Sequence, residues 1–137
     1  MKPNFSRFAV YYLPCPGSPL QRFGDKWLGW SITDGEFINH LKGQIPATEH
    51  AKITVTPQKY GFHGTLKPPL RLKDEFGQNE LINAVHHIAK MHHPFMMPGL
   101  ILQVVDQFMA LVPMEHSPAM HNLCLLYTSD AADELRS

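Results

Sequence analysis

His63 and Thr65 stand two residues apart in the run YGFHGTLKPPLRL, residues 60–72. In an extended chain, side chains at i and i+2 leave the same face about 7 Å apart along the backbone. An imidazole with an ordinary pKa near 6.5 accepts or donates a proton at neutral pH, and a hydroxyl beside it can hold an oxyanion such as a phosphoryl oxygen. Lys67 falls on the same side and adds positive charge. Tyr60, just upstream, offers a ring that could line a substrate pocket or simply join the core. The spacing therefore describes a candidate proton-transfer and phosphate-holding strand face. By itself His-x-Thr is a common pattern, and a His on a strand often serves packing alone.

The elements that must carry these residues follow from local pattern. Residues 60–67 alternate, with Phe62, Gly64 and Leu66 on one side and His63, Thr65 and Lys67 on the other, until Pro68 and Pro69 end regular pairing or confine it to an edge. Residues 7–13 (RFAVYYL) are rich in aromatic and β-branched types and stop at Pro14, which predicts a first strand. Ser18 can cap a helix with Pro19 at its first position, and Leu20, Phe23, Trp27 and Leu28 recur at helical spacing before Gly29. Gly24 inside that helix costs about 1 kcal/mol relative to Ala.

Residues 30–59 carry a weaker pattern. Asp34-Gly35 is a turn signal, residues 37–42 suit a helical turn or two, and Pro46 and Pro57 interrupt, so the segment reads as a surface excursion. Asn79 is placed to cap a helix over residues 80–91 whose Leu81, Ile82, Val85, Ile88 and Ala89 share a face. Residues 100–105 and 108–112 are apolar runs separated by Asp106-Gln107, as in a hairpin or two adjacent strands. Ser117-Pro118 opens a further helix. The order predicts an α+β fold, a mainly antiparallel sheet with helices on one face.

Composition narrows the partners. The chain has 137 residues with 12 basic and 12 acidic side chains and no formal net charge. One domain at most fits this length, and about 68% of the unfolded surface can be buried, enough to dispense with disulfides or metals as staples. Charged residues are 18% of the chain, against about 25% in typical domains, so neither a long nucleic acid nor a membrane surface is expected as a partner. Cys15 and Cys124 form no CxxC pair, which favours free thiols and a cytoplasmic setting. No run reaches 18 apolar residues, and the first residues lack a signal-peptide pattern. His86, His87, His92 and His93 invite a metal reading, but no two are four apart, the spacing that puts two imidazoles on one side of a helix. No metal or other cofactor is expected.

Three segments, RFAVYYLPCPGSPLQRFGDKWLGW, PQKYGFHGTLKPPLRL and FMMPGLILQVVDQFMALVP, resemble in order the two-histidine (2H) phosphoesterase superfamily, in its branch of unknown function associated with phosphonate metabolism. The resemblance extends over residues 7–123. It implies a bilobal α+β fold whose two halves each present a His-x-Thr/Ser strand to one cleft. One His would serve as general base and the other as general acid on a cyclic phosphate or small phosphodiester, without a metal. His63 and Thr65 match the first motif, with Tyr60 and Lys67 beside it as substrate-binding candidates. No other His of the chain is followed by x-Thr or x-Ser, so the second motif is absent and the chain as written is expected to be nearly inactive. A non-catalytic protein that binds a phosphoryl ligand in the same cleft is the alternative.

Residues 124–134, CLLYTSDAADE, resemble a one-frame translation of a transposon sequencing adapter. The expectation is that residues 1–123 form the N-terminal part of a 2H phosphoesterase-like domain and residues 124–137 a non-native tail. The other reading of the tail is a polar helix end with Ser129 as its cap. Substrate identity and oligomeric state are left open by the sequence.

Overall fold

The computed structural model describes residues 7–128. The order is β1 (Phe8–Tyr12), α1 (Pro19–Leu28), β2 (Trp30–Ser31), β3 (Glu36–Phe37), α2 (Ala47–Thr54), a 3-10 turn (Pro57–Lys59), β4 (Gly64–Leu70), α3 (Gln78–Lys90), β5 (Leu100–Val105), β6 (Phe108–Pro113) and α4 (Pro118–Thr128). This is an α+β fold. Its strands pair two by two, β1 with β4, β2 with β3 and β5 with β6, the latter two pairs antiparallel. Pro68 and Pro69 lie inside β4, and neither has an N–H to give to a further neighbour. No helix of the described residues is long and apolar enough to cross a membrane. By its contacts the chain divides into two units, residues 10–65 and residues 1–9 with 66–137.

In the unit of residues 10–65, α1 forms as its sequence demands. Ser18 accepts from the Gln21 N–H at 3.2 Å, Pro19 takes the first helical position, and Gly29 closes the helix at φ 73°. Gly24 has a reason that propensity does not reveal. A Cβ there would stand 2.1 Å from the Phe62 ring, so the glycine lets that ring lie directly on the helix backbone.

The stretch expected to be a surface excursion is built more firmly than its composition suggests. β2 and β3 form a short hairpin around Asp34-Gly35, and α2 adds a helix that apolar periodicity does not announce. Residues 37–42 are not helical: Phe37 ends β3 and an irregular segment follows. Buried groups here are polar. The His50 Nε2–H donates to the Trp27 carbonyl at 2.8 Å, the Thr54 hydroxyl donates to the His50 carbonyl at 2.8 Å, and His40 Nε2 donates to the Thr54 oxygen at 3.0 Å. The Gln58 amide caps the end of α1 at the Leu28 carbonyl, 2.9 Å away. These bonds satisfy groups that would otherwise cost about 1–3 kcal/mol each to bury. His40 and His50 are thereby explained as packing histidines.

In the other unit, among the described residues, Leu70 and Ile88 are the buried apolar side chains, contributed by β4 and α3. α3 starts at Gln78, earlier than Asn79 capping predicts. Gly77 is the N-cap, and the Glu80 carboxylate accepts from its N–H at 2.7 Å, a better acceptor for that orphan donor than the Asn side chain. β5 and β6 form the hairpin that the two apolar runs suggest, with Val105 opposite Phe108 and Asp106 at φ 54° in the two-residue turn. α4 opens where Ser117-Pro118 places it, with Ser117 Oγ accepting from the Met120 N–H at 3.2 Å. It runs past residue 123 to Thr128. Most of the tail set apart on sequence grounds, residues 129–137, lies outside the described residues.

Candidate functional site

The candidate site belongs to the unit of residues 10–65, where the chain leaves the 3-10 turn and enters β4. Gly61 is held at φ 74°, and a Cβ on it would stand 2.8 Å from Ile32, so both backbone conformation and packing demand glycine. That turn aims the Gly61 carbonyl back at the next side chain but one. His63 Nδ1–H donates to it at 2.8 Å. A carbonyl only accepts, so in the neutral ring the proton sits on Nδ1 and the lone pair on Nε2. Thr65 Oγ1 lies 3.3 Å from Nε2 and donates to it. When the ring is protonated the same contact reverses, Nε2–H donating to the hydroxyl oxygen. The pair can thus give or take a proton at one defined atom.

The two residues singled out for proton transfer and oxyanion holding are therefore side by side, with the imidazole half-buried and the hydroxyl exposed. Tyr60 and Lys67 behave differently. Tyr60 follows the 3-10 turn, is largely exposed, and its backbone N–H is tied to the Pro57 carbonyl at 3.0 Å. Lys67 is only 4% exposed, so β4 does not continue the simple alternation that offers Lys67 to solvent beside Thr65. The ring that meets the imidazole comes from β1. Tyr11 stacks on His63 with centroids 3.8 Å apart and planes 26° from parallel. Sequence reasoning missed Tyr11 and Gly61. The signal available for Gly61 was its place two residues before the histidine; for Tyr11 there was none, because β1 and β4 are distant in sequence.

Burial pushes the carboxyl of Asp25 above its ordinary value; the hydrogen bond from the Gln21 amide pulls it partly back and the nearby charge of Asp34 raises it further. Asp25 is 5% exposed, and its Oδ1 is buried without a partner. Among the described residues no group of three or more His, Cys, Asp or Glu side chains is placed to hold a metal ion.

The profile of the family described as "Protein of unknown function (DUF1045)" matches residues 65–137, somewhat more than half of the chain. The chain belongs to this family. The match in this DUF1045 member starts at Thr65 and takes in nearly all of β4 and everything from α3 onward. The chain is also similar to the ribose 1,5-bisphosphate phosphokinase PhnN of Janthinobacterium sp. (strain Marseille), 25% identical over 128 residues that cover 90% of this chain and 28% of that protein. It spans little more than a quarter of that relative's length. No solved structure matches the chain.

Proposed function

We propose that this DUF1045 chain is the N-terminal part of a metal-independent phosphoesterase of the 2H type, acting in phosphonate metabolism on a cyclic phosphate or other small phosphodiester. The reading is carried by one observation, the His63 ring whose Nδ1–H is committed to the Gly61 carbonyl while Nε2 faces the Thr65 hydroxyl. In the reaction, His63 Nε2 removes a proton from the attacking hydroxyl or water, or returns one to the leaving oxygen. The Thr65 hydroxyl turns from Nε2 to a phosphoryl oxygen and steadies its charge. A second His-x-Thr or His-x-Ser strand supplies the other proton transfer in the uninterrupted protein. Residues 1–123 belong to that enzyme.

The relative's name adds a substrate class. It describes a kinase of ribose 1,5-bisphosphate, which makes phosphorylated ribose the first family of compounds to try. The kinase chemistry itself is not carried over to this segment. Gly24 and Gly29 have the spacing of a phosphate-binding G-x-x-x-x-G-K loop, but Trp30 stands where the Lys belongs, and α1 occupies the stretch where the open loop would be.

The deciding assay uses an uninterrupted homologue with ribose cyclic phosphates and 2′,3′-cyclic nucleotides, with and without chelator. Turnover that survives chelator and collapses on replacing the His63 equivalent by Ala supports the proposal. Full activity in that variant overturns it, and binding without turnover favours a non-catalytic phosphoryl-binding protein.

A further inference from the structure

We propose that Tyr11 is a positioning residue for the His63 imidazole, fixing the plane of the ring so that Nε2 stays on Thr65; this rests on the reading of His63 as the proton-transfer group. A single hydrogen bond fixes one atom of a ring and leaves the ring free to swing about it. The Nδ1–H bond to Gly61 at 2.8 Å is such a tether. The χ2 torsion of histidine has a broad, shallow energy profile, so the side chain does not supply the missing restraint. Tyr11 does. Its ring covers one face of the imidazole at 3.8 Å and 26°, and swinging the imidazole about its tether drives it into the phenol ring or opens the stack.

Tether and stack together define the ring plane, and the 3.3 Å approach of Nε2 to Thr65 follows from it. The partner is well chosen for a ring that changes charge. A tyrosine face attracts a cation, so the stack holds when the imidazole is protonated as well as when it is neutral. Tyr11 is also carried by a strand, β1, and a strand is a stiffer mount than a loop. Tyr12, the next residue, serves as an internal control. Its ring lies near Gly64 and it is more than half exposed, so it belongs to the other side of the strand.

Nitrogen-15 spectroscopy of the histidine rings in the full 137-residue chain tests the assignment without requiring turnover, with His63→Gln identifying the signals. The wild-type ring shows well-separated Nδ1 and Nε2 shifts with the proton on Nδ1, and nuclear Overhauser contacts to the Tyr11 ring. Tyr11→Leu brings the two nitrogen shifts together as the ring exchanges orientation and tautomer, while Tyr11→Phe and Tyr12→Leu keep them apart. Unchanged nitrogen shifts in Tyr11→Leu overturn the proposal, and so does a wild-type chain without Tyr11–His63 contacts, a result that stands even where the Leu variant fails to fold. In an uninterrupted homologue the same Leu change lowers kcat ten- to a hundredfold with KM little altered, about the cost of a small misplacement of a reacting group. Phe restores it. Full activity after His63→Ala in that homologue rejects the phosphoesterase reading, whereas the nitrogen shifts report on the Tyr11 restraint alone.

Discussion

His63 owes its chemical definition to a carbonyl two residues upstream. That is a local relation, and half of it was legible in the sequence: period-two alternation puts His63 and Thr65 on one side wherever the chain is extended. Which ring nitrogen carries the proton was not legible, because it depends on Gly61 adopting positive φ against Ile32. On the proposed phosphoesterase reading, replacing the His63 equivalent by Ala in a longer homologue is expected to lower kcat by about 10²- to 10⁴-fold, the usual worth of a positioned acid or base. Thr65→Val loses about tenfold or more by removing a donor aimed at the developing oxyanion, and Thr65→Ser retains most activity; steady-state kinetics on the two variants separates hydroxyl from methyl. Asp25 makes a prediction about stability. Its folded-state pKa is raised, so the native state holds its proton more tightly than the unfolded state does. The native state is therefore penalised progressively as pH rises from about the ordinary value of 3.8, and the penalty is complete above the raised one. Asp25→Asn should melt at higher temperature than wild type at pH 7, with the gap closing as the pH falls below 3.8; a constant gap across that range would rule out titration as the cause.

At the scale of elements, α1 and the β5–β6 hairpin, announced by side-chain chemistry, matched, whereas α2, built on polar burial, did not show in the sequence and the α3 cap fell on Gly77 rather than Asn79. α1 was readable from Ser18, Pro19 and Gly29 because caps act within a turn of the residues they serve. α2 escaped because its buried positions are His50 and Thr54, so no apolar stripe marks it, and its N-cap is Pro46, which makes no side-chain bond. Gly24 shows how context can reverse a propensity argument. Replacing an exposed mid-helix glycine by alanine gains about 1 kcal/mol. Here the added methyl meets the Phe62 ring, and Gly24→Ala should instead destabilise by about 1–3 kcal/mol in chemical denaturation. Ser18→Ala should cost about 1 kcal/mol in the same experiment, with Ser18→Asp retaining the cap.

On the scale of the whole molecule, the β5–β6 hairpin is the feature that needs company. Leu102 and Val104 are 65% and 63% exposed on one face, and Phe108, 64% exposed, shares the other face with Ile101 and Val105, which are also open to solvent. Such a surface associates in water. Sedimentation velocity on the 137-residue chain should show mass rising with concentration, and Leu102→Lys with Val104→Lys should suppress it; a concentration-independent monomer would contradict this. What the sequence determined by itself was set by neighbours a few residues away: α+β class, the caps of α1, the β5–β6 turn, and the shared side of His63 and Thr65. Only tertiary structure decided which aromatic ring meets the imidazole, why Gly24 and Gly61 must be glycines, that Lys67 is buried, and that His40 and His50 are held as packing groups. Alternation, capping and turn preference act through the chain's own covalent neighbours. Stacking, burial and the pairing of buried donors depend on which distant residues folding brings alongside, and no pattern within one segment encodes that.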